Sequence, residues 1–306
     1  MPAGGSSRHL RHRTGSPGPF PAPNTCRLAP CGEASPPTTV SWNAKGSELR
    51  AFPNPAVRRD AEFRGLFTDA EYRDLHAYFA AHPELPPSPL RSLSALADKL
   101  GVRAVDAKDE THRFGLNAFK IIGVRYAVHR LGDEATARGL VCATAGNHGR
   151  AVARVARQKG VASTIFIPAG GSPRIDPMRA DGATVVEIEG TYEDAVRLAA
   201  EHGRATGATV ISDTSWEGYG DIPRWIMAGY TQMFEEANAH WDAPPGVVLI
   251  QGGVGGLVCA AASWFAWRFG PHRPYMIACE PDSAACLMDS ARAGALTSAR
   301  GNLSTV

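Results

Sequence analysis

The sequence predicts an α/β protein with doubly wound parallel sheets, covered on both faces by helices. Two observations carry this. Short apolar, β-branched runs alternate with stretches of helical period from about residue 104 onward. The stretches between the runs are helical crossovers, which parallel neighbours need.

The elements follow in order. RRDAEFRGLFTDAEYRDLHAYFAAH (58–82) supports one or two helices, and PELPPSPL (83–90) is a proline-rich connection before a short helix in SLSALADKLG (92–101). AVDAK (104–108) is a strand ahead of a helix at 116–131. LVCAT (140–144) is a strand ahead of the helix NHGRAVARVARQKG (147–160). STIFIP (163–168), TVVEIEG (184–190) and TVISD (209–213) are further strands with helices between them. VVLIQ (247–251), the helix after GGVGG, and the strand YMIACE (275–280) complete the pattern. Function in such folds gathers at the carboxyl ends of the strands.

Composition narrows the class. A chain of 306 residues can bury a sizeable core as one large or two ordinary domains. A hydrophobic share of 44%, a charged share of 20% and a net charge of +2 are those of a soluble globular protein and favour neither nucleic acid nor membrane as partner. No apolar run approaches the roughly 18 residues of a membrane span. Cys26, Cys31, Cys142, Cys259, Cys279 and Cys286 form no CxxC pair, and they read as buried thiols in a reducing compartment, with no disulfide framework or zinc site. The absence of an apolar signal-peptide core agrees with a cytoplasmic location. Residues 1–45 differ: RHLRHRTGSPGPFPAPNT is rich in Pro, Gly, Ser and Arg, and no acidic residue precedes Glu33. Such a segment cannot bury enough apolar surface to offset its ordering entropy, and is expected to be a disordered tail.

Three segments carry the chemistry. QGGVGG (251–256) follows a strand and opens an apolar helix; glycines admit an anion closely, and the helix start offers free N–H groups, so phosphate binding is the natural reading. The same glycines also serve a tight turn or close packing. ATAGNHG (143–149) is again strand, small-residue turn and helix. The backbone around Thr144, Gly146 and Gly149 can clasp a carboxylate, and Asn147 can contact a ring hydroxyl or cap the helix. His148 reads as a packed or solvated neighbour. In KDETHRFGLNAFK (108–120), Lys120 stands between Phe119 and Ile121–Ile122 near a helix start. Apolar surroundings there are expected to disfavour its ammonium and raise its nucleophilicity toward an aldehyde. The chain has only five lysines, Lys45, Lys99, Lys108, Lys120 and Lys159. Lys108 is the rival, though it reads more easily as a charged strand exit. Asp213 ends a strand, where it can cap a turn. A nucleotide-binding dehydrogenase fits poorly, because no ribose-binding acid follows the glycine loop at the right distance.

RFGLNAFK, TAGNHGRAVA, SDTSWEGY, IPRWIMAGY and QGGVGG, in this order, resemble the diaminopropionate ammonia-lyases of the tryptophan synthase β-like superfamily. The resemblance runs over roughly residues 58–306, and DTSWEGY with RFGLNAFK separates the chain from threonine dehydratases and cysteine synthases. It implies the pyridoxal-phosphate fold of that superfamily in two domains, a large one from 46–140 and 213–306 and a small one from 141–212. By the same resemblance Lys120 forms a Schiff base with pyridoxal 5'-phosphate and Asn147 meets the cofactor ring oxygen. Gly252, Gly253, Val254, Gly255 and Gly256 hold the phosphate. Thr144, Gly146 and Asp213 meet a small amino-acid substrate, with Asp213 and Lys120 as the catalytic pair. The implied reaction is α,β-elimination of 2,3-diaminopropionate to pyruvate and ammonia, in a homodimer. The alternatives are another β-eliminating lyase of the serine or threonine dehydratase kind, and a non-catalytic remnant.

Two departures bear on this. The family carries an acidic residue just before the Gly-Asn-His-Gly turn, where this chain has Ala145, so the L-isomer is the expected substrate. Members of the family also continue beyond the point where this chain stops, so a C-terminal truncation is expected, leaving the large domain incomplete.

Overall fold

The computed structural model describes residues 40–44, 47–54, 63–144, 146–170 and 173–297. Two units divide the chain, Met1–Pro53 and Asn54–Val306. In the first, β1 (Val40–Ala44) and β2 (Ser47–Ala51) pair antiparallel with Ala44 opposite Ser47. The first of these strands lies inside the segment expected to lack structure. Val40, Trp42 and Ala44 alternate with Ser41 and Asn43, a period-2 pattern that an argument from overall composition averages away. Residues 1–39 and 45 of that expectation lie outside the described residues.

The second unit begins with α1 (Asp69–Ala80), started by a capping box in which Thr68 and Glu71 exchange side-chain and backbone hydrogen bonds. It buries Tyr72, Leu75, Tyr78 and Phe79, the i, i+3, i+6, i+7 set of one helical face. A short antiparallel pair, β3 (Leu90–Ser92) with β4 (Asp106–Lys108), brackets α2 (Ser94–Leu100). The helix expected from residue 116 starts instead at Lys120, as α3 (Lys120–Thr136). Residues 113–115 form a single 3-10 turn in which Phe114 (φ 48°) and Gly115 (φ 73°) are left-handed, and this turn breaks the chain's helical course.

A four-stranded, all-parallel sheet follows, in the order β7-β6-β5-β8. Its strands are β5 (Leu140–Ala143), β6 (Ser163–Pro168), β7 (Thr184–Ile188) and β8 (Thr209–Val210). The crossovers are α4 (Asn147–Lys159), α5 (Ile175–Ala180) and α6 (Tyr192–Thr206). Side chains leave alternate faces: Leu140, Cys142, Ile165 and Ile167 join the main core, while Val141, Phe166 and Ile188 pack with Ala195 and Ala199 of α6. Both faces are thus covered. The strand expected over 209–213 is only two residues long, because past Val210 the chain leaves the ladder after one more backbone bond, Ile211 N–H to Val141 O at 2.8 Å.

The chain then runs through α7 (Asp221–Tyr230), α8 (Gln232–Asn238), β9 (Val247–Gln251), α9 (Gly256–Phe269), β10 (Tyr275–Cys279) and α10 (Cys286–Ala293). α3 crosses α7 so closely that a Cβ on Gly123 would lie 2.6 Å from both the Ile226 carbonyl oxygen and the Tyr230 ring. β9 and β10 pair in parallel. One face of that pair joins the core through Ile250, Val248 and Met276; the other leaves Val247, Leu249, Tyr275 and Ile277 exposed. Covering of both faces therefore describes the four-stranded sheet and not this pair, and for that reason Cys279, expected to be buried, is exposed at the end of β10, whereas Cys142 in β5 is buried. Among the described residues no helix is long and apolar enough to cross a membrane.

Candidate active site

Lys120 is the first residue of α3, and no side chain caps that helix start. Its Nζ donates to Asp213 Oδ2 at 2.5 Å and lies 5.4 Å from the Phe119 ring centre and 5.7 Å from that of Tyr230. Phe119 and Tyr230 meet edge to face at 4.9 Å, forming the wall against which the amine rests. Burial, the largest influence on Lys120, disfavours its ammonium, but Tyr230 and the Asp213 carboxylate outweigh it and the pKa is raised. The expectation of a depressed lysine is corrected on this point: the apolar neighbours in sequence are there, but a carboxylate 93 residues away reverses their effect.

Asp213 is delivered by a tightly bonded loop. The Tyr219 hydroxyl accepts from Ser212 N–H at 2.9 Å and donates to Val210 O at 2.8 Å, and Trp216 stacks on Tyr219 at 4.1 Å. Ser212 Oγ also accepts from Thr214 N–H at 3.3 Å. Hydroxyl, indole and phenol in SDTSWEGY thus pin the residues on both sides of the acid. Burial would raise the pKa of Asp213, yet the charges of His148 and Lys120 and the Lys120 hydrogen bond hold it well below the usual carboxylate range.

At the end of β5, Thr144 N–H donates to Phe166 O and Thr144 Oγ1 accepts from Gly146 N–H at 3.1 Å, closing a small turn. Gly146, not Asn147, is the N-cap of α4; Asn147 is its first helical residue and is half-buried. His148 is buried, with Nε2 2.9 Å from Ile211 O and Nδ1 3.8 Å from Asp213 Oδ2. Ala145 lies outside the described residues, and so does the stereochemical expectation built on it.

The glycine loop opens the 14-residue α9 with Gly255 as N-cap (φ 88°) and no side-chain cap, so the first N–H groups of that helix are not satisfied by a side chain. A Cβ on Gly252 would come within 2.8 Å of Glu280 Cγ, whose carboxylate accepts from Leu287 N–H and Met288 N–H at 2.9 Å each. Val254 is exposed at the loop tip. The loop makes no hydrogen bond with Lys120 or Asp213. The link runs through α7, whose Met227 would stand 3.7 Å from a Cβ on Gly256 while Ile226 and Tyr230 touch Gly123 of the Lys120 helix.

Lys108 is committed elsewhere. Its Nζ donates to Ser88 O (2.5 Å), Ser88 Oγ (2.6 Å) and Glu236 Oε2 (2.6 Å). Arg113, fully buried, bridges Glu110 and Glu236 with bonds of 2.6–2.8 Å. This quartet anchors the strand exit and the turn that leads to Lys120. Sequence reasoning missed Arg113, Glu236, Tyr230 and the position of His148. Only His148 had a usable signal, its place one residue into a helix that starts at a strand's carboxyl end.

Among the described residues no group of His, Cys, Asp and Glu is arranged to hold a metal. The donor set fits a phosphorylated aldehyde instead: one half-buried amine at the wall of an aromatic corner, and an uncapped helix start reached through side-chain-free glycines. The comparisons agree. The chain belongs to the pyridoxal-phosphate-dependent enzymes, whose family pattern matches residues 82–304. Within that class it belongs with the diaminopropionate ammonia-lyases. It is 34% identical to the diaminopropionate ammonia-lyase of Escherichia coli over 272 residues, which are 81% of this chain and 68% of that protein. The crystal structure of the Escherichia coli enzyme in complex with D-serine superposes with a TM-score of 0.71 at 32% identity, over 78% of this chain and 67% of that one. The biosynthetic L-threonine dehydratase of Mycobacterium leprae is 26% identical over 216 residues, 69% of this chain and 48% of that protein.

Proposed function

We propose that this chain catalyses the α,β-elimination of 2,3-diaminopropionate, with water, to pyruvate and two molecules of ammonia. The observation that carries the reading is the Lys120–Asp213 pair at 2.5 Å, one partner at a helix start and the other in a loop pinned by Tyr219. Pyridoxal phosphate, when bound, supplies the electron sink for negative charge at the substrate Cα. Lys120 holds the cofactor at rest, and its Nζ, once free, is the base that takes the Cα proton. Asp213 orients that Nζ and offers a carboxylate to the substrate's second ammonium, which favours a β-amine over a β-hydroxyl. Thr144 and Gly146 receive the substrate carboxylate, Asn147 the cofactor ring oxygen, and Gly252–Gly256 the phosphate.

The domain division at 141–212, a homodimer and a cytoplasmic location belong to the same reading. The parallel sheet from Leu140 to Val210 supports the first. Sedimentation of the purified chain tests the dimer.

The deciding experiment loads the full chain with pyridoxal phosphate and follows pyruvate release from diaminopropionate and from serine. Faster turnover of diaminopropionate is expected, and preferred turnover of serine or threonine would move the assignment to the dehydratases. Lys120→Ala should abolish both the violet-edge absorbance and the activity. Lys108→Ala should leave the absorbance in place, and the opposite pattern would show that the wrong lysine was chosen.

A further inference from the structure

His148 has no part in the reading above, yet its imidazole is 4% exposed and points at the Lys120–Asp213 pair. Its Nε2 is 2.9 Å from the Ile211 carbonyl oxygen, which can only accept, so Nε2 carries a hydrogen. Its Nδ1 is buried, has no hydrogen-bond partner among the described residues, and stands 3.8 Å from Asp213 Oδ2. A bare Nδ1 would turn a buried lone pair toward a carboxylate. A protonated Nδ1 turns a positive N–H there instead. The second arrangement is the one that electrostatics favours.

We propose that His148 is a positioning residue for Asp213: its imidazolium, anchored by the Ile211 carbonyl, holds the carboxylate between two cations, itself and Lys120. The groups that face Asp213 from the packed elements are Lys120 of α3, His148 of α4, Cys142 of β5, Tyr192 of α6, Tyr219 of the 212–219 loop and Tyr230 of α7. Burial keeps the thiol and the three phenols protonated, so only Lys120 and His148 can balance the acid. The consequence is specific. Lys120 must give up a proton before its lone pair can attack an aldehyde, and with His148 charged Asp213 stays paired when that happens. A second cation beside the carboxylate also weakens the hold of Asp213 on the lysine proton, which eases that loss.

The inference deepens the proposed function and takes its roles for Lys120 and Asp213 from it, but its test needs no substrate. In the full chain freed of cofactor, nitrogen NMR of the histidine rings at pH 7 should show His148 with both nitrogens protonated. In Asp213→Asn that signal should revert to the neutral ring. A neutral His148 with hydrogen only on Nε2 in the unmodified chain would overturn the proposal, whatever the variants do. Reductive trapping of pyridoxal phosphate on Lys120 across pH gives a second readout. In His148→Gln the trapping profile should move to higher pH by about one unit, a tenfold drop at fixed pH. An unmoved profile in folded His148→Gln would mean a purely structural role and would also overturn it. Failure of the lyase assignment shows itself differently, as an intact imidazolium signal in a chain that releases no pyruvate.

Discussion

Replacing Glu236 by Leu tests how the Lys120 loop is held. Glu236 accepts from Arg113 through both oxygens (2.8 and 2.7 Å) and from Lys108 (2.6 Å), and it is nearly inaccessible. Arg113 is fully enclosed and keeps only Glu110 and Ser88 once Glu236 is gone. Two cations then face one carboxylate, and the Arg113 guanidinium has no access to water. Breaking a buried pair by removing one partner costs about 3–5 kcal/mol. The expected loss in a urea-denaturation experiment is of that size. The charge-balanced double variant Arg113→Met/Glu236→Leu leaves Lys108 beside Glu110, which are 3.8 Å apart, and should recover most of the loss. A double variant is informative a second time, since it frees the left-handed Phe114 turn seven or fewer residues before Lys120 and should lower cofactor retention even where stability is restored. A single variant costing under about 1 kcal/mol would refute the reasoning, for that is the range of an exposed pair. So would a double variant as unstable as the single one.

Three further outcomes are expected. Gly123→Ala places a methyl group 2.6 Å from the Ile226 carbonyl oxygen and the Tyr230 ring, and should destabilise the chain by about 1–3 kcal/mol in the same denaturation assay. Gly255→Ala must hold φ near +88°, at a cost of about 1–2 kcal/mol, and should weaken pyridoxal phosphate retention on gel filtration; unchanged retention would remove the loop from the cofactor site. Acid should unfold the chain through its paired carboxylates. Glu236 and Asp213 have folded pKa values below their unfolded ones, so their contribution is complete above about pH 5 and fades as pH falls from the ordinary carboxylate range, near 4, toward the folded values. Melting temperature should therefore be flat from pH 7 to 5 and fall below about pH 4, with a shallower fall in the Arg113→Met/Glu236→Leu variant.

Local pattern sufficed for the strands and crossovers of the four-stranded sheet. β-branched runs such as STIFIP and the amphipathic stretch after Asn147 declare their period over six to thirteen residues, within the reach of backbone and side-chain preference. The glycine loop and Lys120 are proposed on the same kind of local ground, because backbone approach to an anion and a scarce amine are properties of a few consecutive residues. Where a helix starts was less legible: the left-handed Phe114 that delays α3 to Lys120 is a strained conformation, sustained by the bonds of Arg113 to Glu236, 123 residues away. The protonation of Lys120 lay wholly beyond the sequence. Phe119 and the two isoleucines predict an amine that sheds its proton, and Phe119 does lie beside it, but Asp213 arrives from the loop after β8, the edge strand of the four-stranded sheet, and holds the proton on. Short-range preferences decide which elements form, whereas charge state depends on distances of 2.5–4 Å between residues that only the folded chain brings together.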